Sequence, residues 1–243
     1  MEMGSLSRIL KLSYLQGKQQ VNNIGFLLLI FFLFLGIFLP PYENMPEKAS
    51  IVFIRATEFC MLLLFSRILG GEFEYKTSKY IFTSSLTRLQ VMIVKLITIV
   101  GLSLLLCFIY NLTVLVIQIF NTEEIVLSQL LMNINYSILH FLLYGLCLGT
   151  FILLISTITF SSVFSFLITY VFYGGMIQSL ILLVGEKHRN EIIRELVQNT
   201  PFYIATYGFH NQSYTNYEMV LLLVSSILTF IIACLIIEKR DLR

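Results

Sequence analysis

Charged and titratable side chains are rare in the apolar stretches of this sequence. Arg55 and Glu58 lie three residues apart in one such stretch. That spacing places them on one face of a helix, where they can pair. If the stretch crosses a membrane, an isolated charge near the bilayer centre costs on the order of 3 kcal/mol. Two interpretations follow. Either this face lines a polar cavity or a subunit interface, or Arg55 extends to the lipid headgroups and Glu58 follows it.

Small and titratable residues in a later apolar stretch give two further candidates. His140 could serve a proton relay, for which Glu58 is the available acidic partner, or it could be a structural histidine held by hydrogen bonds. Gly145 and Gly149 form a GxxxG pair in the same stretch. Such a pair permits close approach of two helices, so both glycines are candidates for a helix interface.

Motifs for catalysis are missing from the sequence. It contains no GxxxxGK[ST], no HExxH and no GxSxG, and its one aspartate is Asp241, which excludes an aspartate pair or a Ser-His-Asp triad. The four cysteines lie in apolar runs without a CxxC spacing, which predicts neither a zinc site nor a disulfide framework. We therefore expect no enzyme activity, no bound cofactor or metal, and no ATP hydrolysis by this chain alone.

The composition predicts an all-α integral membrane protein. Of 243 residues, 57% are hydrophobic and 12% are charged, about half the usual charged share of a soluble domain, and the mean hydropathy is +0.85. A membrane helix needs about 20 apolar residues. Six spans are predicted, with a turn between the fourth and fifth in the Ser and Thr cluster of residues 156–162. They cover about 21–39, 51–69, 91–120, 130–155, 161–185 and 218–237.

The distribution of Lys and Arg predicts the orientation. Eleven of the sixteen basic residues fall in the N-terminal segment, the loop after the second span and the C-terminal tail. By the positive-inside rule, both termini are expected in the cytoplasm. The net charge of +2 is too small to suggest a nucleic-acid partner.

Two segments outside the spans have amphipathic patterns. Residues 1–20 predict an interfacial helix, with Leu6, Ile9, Leu10 and Tyr14 on one face and Arg8, Lys11 and Lys18 on the other. The predicted outer loop, 186–216, contains one short helix that Asn190 would cap and that Thr200 and Pro201 would end.

The predicted cytoplasmic loop, 70–90, has the most specific pattern. It is basic and partly apolar, begins near Glu72 and is followed by Lys95 in the third span. Here the chain resembles the permease subunits of type-2 ABC transporters. In those proteins an acidic residue, a Gly-Thr, a Leu-Leu pair, a Pro-x-Ser-Arg and a later Lys recur after the second span. Their places are taken here by Glu74, Thr77, Tyr80-Ile81, Thr87-Arg88 and Lys95. Lys76 and Ser85 replace the family's Gly and Pro, and the tail Glu238-Lys239-Arg240-Asp241 is similar to the family's ending.

The resemblance implies a single permease domain, 1–243, in the plasma membrane of a bacterium. It would form a homodimer or a heterodimer with a related permease, and two ABC ATPase subunits would bind ATP and Mg. Glu72, Glu74, Thr77, Tyr80, Arg88 and Lys95 would couple the permease to the ATPase. Its size is similar to that of bacterial exporters of peptides, lantibiotics and phenol-soluble modulins. The alternatives are a proton-coupled secondary transporter using Glu58 and His140, or a membrane immunity or scaffold protein that transports nothing.

Overall fold

The computed structural model describes residues 3–21, 46–74, 87–120, 127–187 and 191–239. Within these ranges the chain forms nine α-helices and no strand, which confirms the all-α prediction. The helices are α1 Met3–Val21, α2 Pro46–Glu74, α3 Arg88–Phe120, α4 Leu127–Thr159, α5 Ser162–Tyr173, α6 Met176–Lys187, α7 Glu191–Gln198, α8 Pro201–Asn211 and α9 Asn216–Lys239.

Four stretches of the described residues are long and apolar enough to cross a membrane. They are Arg88–Leu115, Ile134–Thr159, Ser162–Ile181 and Asn216–Lys239. The chain is therefore a membrane protein by length and composition of its helices. Helix α2 is not among the four, and its crossing stays a prediction. The predicted span 21–39 lies outside the described residues, apart from Val21.

Helix α4 is the centre of the bundle and packs against α2, α3, α5, α8 and α9. Two of its glycines permit the approach of α3. A Cβ atom at Gly145 would collide with the side chain of Ser103, and one at Gly149 would collide with Ile99. The GxxxG pair therefore lies in a helix interface inside this chain.

The chain turns between α4 and α5 within the Ser and Thr cluster where the sequence predicts a turn. Phe160 adopts a left-handed conformation (φ 55°), and the Ser161 side chain caps α5 by accepting a hydrogen bond from the Phe164 amide. The hydroxyl of Ser156 donates to that of Ser165 across the turn (2.9 Å). These local hydrogen bonds take the place of the Gly or Pro that most tight turns use.

A second interruption divides the predicted fifth span. Helix α5 ends at Tyr173, and α6 begins at Met176 after Gly174 and Gly175. Gly175 has φ +78°, a conformation that residues with a Cβ atom rarely adopt. The side-chain amide of Gln178 donates to the Phe172 carbonyl (2.9 Å), one of the acceptors that the interruption leaves without a helical partner.

The predicted outer loop contains two helices where the sequence predicts one. Helix α7 matches the predicted short helix in position, and Asn190 lies outside the described residues. Thr200 then caps a second helix, α8, with Pro201 at its first position. Phe202 packs against Phe151 of α4 near the start of α8.

Helix α8 packs against the bundle. Near its end, Phe209 packs against Phe141 and Tyr144, which precede Phe151 by seven to ten residues on α4. Helix α8 therefore runs antiparallel to α4 and packs along it.

Helix α1 confirms the predicted helix, but the residues of its predicted apolar face differ in burial. Ile9 is buried, whereas Leu10 and Tyr14 are exposed. The face that packs on the bundle includes Ser13 and Gln16: the backbone carbonyl of Ser13 and the side chain of Gln16 form hydrogen bonds to other helices. The sequence does not reveal these partners, so the polar side of α1 could not be recognised as its packing side.

Candidate functional site

A cavity of about 480 Å³ lies between α2, α8 and the interruption that separates α5 from α6. One stripe of α2 forms the first wall, and a stripe of α8 with the same spacing forms the second. The residues are Arg55, Glu58, Phe59 and Leu62 on α2, and Tyr203, Thr206, Tyr207 and His210 on α8. Each set follows the i, i+3, i+4, i+7 spacing of a single helix face.

The interrupted helix supplies the third wall, through Tyr170, Gly174, Gly175, Gln178 and Ser179. Irregular backbone at membrane depth is tolerated where it lines a cavity or is buried in protein. Gly174 and Gly175 both line the cavity. They also leave space that larger side chains would fill.

Glu58 is the central polar residue of the cavity wall and is buried. Its Oε1 accepts a hydrogen bond from the Tyr144 hydroxyl (2.6 Å), and its Oε2 lies 2.7 Å from His210 Nε2. One carboxylate therefore joins α2, α4 and α8. Two such partners stabilise a buried carboxylate, whereas the burial of an isolated carboxylate would carry a large desolvation free energy.

Arg55 lies one helical turn from Glu58 on the same cavity wall and is exposed. The sequence suggests that the two can pair, but no ion pair joins them, because Glu58 is engaged by Tyr144 and His210. Within the described ranges, Arg55 forms no ion pair at all. The guanidinium is therefore a positive charge available at the cavity.

His140 is not part of the cavity and does not contact Glu58. Its Nδ1 donates to the Tyr136 carbonyl (2.6 Å), and its ring stacks on Tyr214 (centroids 5.0 Å apart). These contacts are those of a structural histidine. A relay through Glu58 and His140 is therefore not supported by the geometry, and His210 occupies the expected place beside the carboxylate.

A second group of charged contacts lies at the end of the bundle where α2 finishes and α3 begins. Glu72 forms an ion pair with Lys95, whose side chain is fully buried, and Glu72 Oε1 also accepts from Gln16 (3.1 Å). The pair joins the ends of α2 and α3 to the amphipathic helix α1. Burial raises the pKa of the Glu72 carboxyl, and the charge of Lys95 opposes that rise.

Glu74 fastens the end of α2 to the beginning of α5. Its carboxylate accepts from the Ser162 hydroxyl (2.7 Å), the Ser162 amide (2.8 Å) and the Ser161 hydroxyl (3.1 Å). These hydrogen bonds, led by that of the Ser162 side chain, lower the pKa of the Glu74 carboxyl. A carboxylate at a helix N-terminus also interacts favourably with the positive end of the helix dipole.

Arg88 makes the corresponding contact with the end of α9. Its guanidinium Nη1 donates to the carbonyls of Ile237 (2.9 Å) and Glu238 (2.8 Å). Thr77 and Tyr80, which complete the predicted coupling set, lie outside the described residues, as do Arg240 and Asp241 of the tail. The predicted set therefore divides into residues that fasten helix ends and residues of whose contacts nothing is described.

Sequence reasoning misses two members of the cavity cluster, Tyr144 and His210. They are 86 and 152 residues from Glu58 in the chain. No local spacing could join them to Glu58. The signal available was a rare residue type, because the chain has three histidines.

No model of a known protein family matches this chain. No curated protein matches it at a significant level either. Metal binding has no evident site in the described ranges, where no three His, Cys, Asp or Glu side chains come together as ligands.

Proposed function

We propose that this chain is the permease subunit of an ABC exporter that moves an amphipathic peptide, toxin or antibiotic out of the cell. In this proposal the chain has six spans, with both termini in the cytoplasm. It acts as a dimer in the plasma membrane, and separate subunits hydrolyse ATP. The loop 70–90 is the coupling element that contacts the ATPase.

One observation carries the proposal: near both of its ends, the segment 70–90 is hydrogen-bonded to helices other than α2 and α3. Glu74 holds the beginning of α5, and Arg88 holds the end of α9. Helix α5 leads directly to Gly174 and Gly175 on the cavity wall. A displacement of this segment therefore has a short physical route to the cavity.

A second candidate is a proton-coupled secondary transporter. The contact between Glu58 and His210 favours it, because a carboxylate and an imidazole at a cavity wall can exchange protons with a transported solute. This pair takes the place of Glu58 and His140 as the proton path that the sequence suggests.

The test combines purification of the complex with a hydrolysis measurement. The tagged full-length chain is purified from its host membranes, reconstituted in proteoliposomes and assayed for ATP hydrolysis with and without an amphipathic helical peptide. We expect an ABC ATPase to accompany the chain and the peptide to stimulate hydrolysis. A chain that carries no ATPase, and that takes up solute when a pH gradient is imposed without nucleotide, would instead be the secondary transporter.

The coupling role of the two fastening residues is tested in the same assay. The double variant Glu74→Gln, Arg88→Gln should still insert and bind the ATPase, but lose most of the peptide stimulation. The matched double variant Glu195→Gln, Arg67→Gln removes one exposed acid and one exposed base elsewhere and should retain it. Equal stimulation in both double variants would refute the coupling assignment.

A further inference from the structure

We propose that the cavity binds an amphiphile with an anionic headgroup, with the headgroup at Arg55 and the apolar tail directed toward Leu62. This inference deepens the proposed export function and rests on it insofar as it names the chemical class of the cargo. The binding itself is a property of this chain and can be measured without an ATPase.

The first support is a gradient of polarity along α2. The four α2 residues of the wall span seven positions, about 10 Å at 1.5 Å per residue. Arg55 and Glu58 form the polar end of this stripe, and Leu62 forms the apolar end. An elongated ligand with one charged end matches that gradient in one orientation.

The second support is the charge balance of the cavity. The carboxylate of Glu58 is already satisfied by Tyr144 and His210, whereas Arg55 has no ion-pair partner in the described ranges. The charge left available to a ligand is therefore positive. A guanidinium binds carboxylate and phosphate groups through two parallel hydrogen bonds, so it selects an anion.

The third support is the aromatic lining of the cavity. Phe59, Tyr170, Tyr203 and Tyr207 all border the cavity, and Phe59 packs edge-on against Tyr170 (6.3 Å). A volume of about 480 Å³ falls within the range of about 300 to 1,000 Å³ that small-molecule sites occupy. The space suits a headgroup together with part of an alkyl chain.

The experiment measures photocrosslinking of a dodecanoate with a diazirine at its tail. The full-length chain is placed in nanodiscs of phosphatidylcholine, which carries no net charge, and unlabelled amphiphiles with the same tail compete with the probe. Dodecanoate and dodecyl phosphate should compete at least about tenfold better than dodecanol or dodecylamine. Their order distinguishes a carboxylate ligand, such as a fatty acid or a peptide C-terminus, from a phosphate ligand such as a phospholipid.

Variants on α2 test the position of the headgroup. Arg55→Gln should weaken competition by dodecanoate about tenfold, whereas Arg67→Gln, which removes an exposed arginine of the same helix outside the cavity, should not change it. Arg55→Glu should reverse the preference in favour of dodecylamine. Arg55 and Arg67 are both exposed, so these variants are expected to retain the fold.

Three results would overturn the inference: equal competition by all four headgroups, a preference for dodecylamine in the unmodified chain, or crosslinking that Arg55→Gln does not alter. Failure of the export proposal has a different signature. In that case the anionic amphiphiles bind as expected, but no ATPase accompanies the chain. Peptide-stimulated hydrolysis without anion selectivity would leave the export proposal standing and remove this inference alone.

Discussion

At the scale of single residues, the carboxylate of Glu58 joins three helices that are distant in the sequence. Truncation of either partner removes a hydrogen bond to a charged group, which typically contributes about 1.5 to 3 kcal/mol. Tyr144→Phe should therefore destabilise the chain by that amount, as measured by thermal unfolding in detergent. Tyr207→Phe is the matched control, because that tyrosine lies exposed on the same cavity. Equal shifts in the two variants would contradict the role assigned to Glu58.

Glu74 gives the stability of the chain a pH dependence whose sign is fixed by its hydrogen bonds. The pKa of this carboxyl is lowered from its ordinary 4.5 in the folded state. Its stabilising contribution is therefore fully present above 4.5, and it is lost as the pH falls through the lower folded value. Glu74→Gln should have a lower unfolding midpoint than the unmodified chain near neutral pH, and the difference should vanish in acid.

The control for this prediction is Ser162→Ala, which removes the hydroxyl that contributes most to the shift. That variant should retain part of the pH dependence, because the Ser162 amide still donates to the carboxylate. A difference between Glu74→Gln and the unmodified chain that is constant with pH would refute the assignment.

The sequence predicts which residues are unusual, but not what they contact. Arg55 and Glu58 are recognisable because charges are costly in apolar helices, and the structure places both on a cavity. The absence of an ion pair between them could not be predicted, since Tyr144 and His210 bind Glu58 from distant parts of the chain. The same reason explains His140, whose carbonyl partner is local but whose ring neighbour, Tyr214, is not.

At the scale of elements, the interface between α3 and α4 depends on glycine. Gly149→Ala places a methyl group against Ile99, so we expect a destabilisation of about 1 to 3 kcal/mol from overpacking. Gly101→Ala on α3 is the matched control, because no described residue beyond its own stretch of helix lies within 4 Å of the added Cβ there. That change should stabilise the helix by up to about 1 kcal/mol. Thermal unfolding checks both values, and the same sign in both variants would contradict the packing.

Element boundaries show where sequence patterns fail. The pair Thr200-Pro201 predicts the end of α7, yet the same two residues also begin α8, because Thr is a good cap and Pro is favoured in the first turn. The helix that follows has 11 residues and is too short to span a membrane. Its burial depends on aromatic partners on α4, which only the folded bundle supplies.

At the scale of the whole molecule, burial is uneven among the four spanning stretches. In the most apolar part of each, 67% of residues are buried inside the chain for Ile134–Thr159, but 28% for Asn216–Lys239 and 17% for Ser162–Ile181. The last two therefore present large apolar surfaces outward. Those surfaces are available to lipid or to a second subunit, whereas most of the apolar part of α4 is buried inside the chain.

The proposed orientation makes a prediction about accessibility from the two sides of the membrane. In a variant with Cys60, Cys107, Cys147 and Cys234 replaced by alanine, a single cysteine is introduced at one of two exposed positions. Thr87→Cys should react with a membrane-impermeant maleimide only in inside-out vesicles. Tyr217→Cys should react only in intact cells or right-side-out vesicles. The reverse pattern would place both termini outside and contradict the positive-inside argument.

The contact between Arg88 and the last turn of α9 also has a consequence for biosynthesis. Its acceptors on Ile237 and Glu238 follow it by 149 and 150 residues. At about 5 to 20 residues per second, the ribosome delivers them roughly 8 to 30 s after Arg88. A nascent chain that stops short of the last turn of α9 lacks these two carbonyls for Arg88, so this contact can form only after α9 has been synthesised.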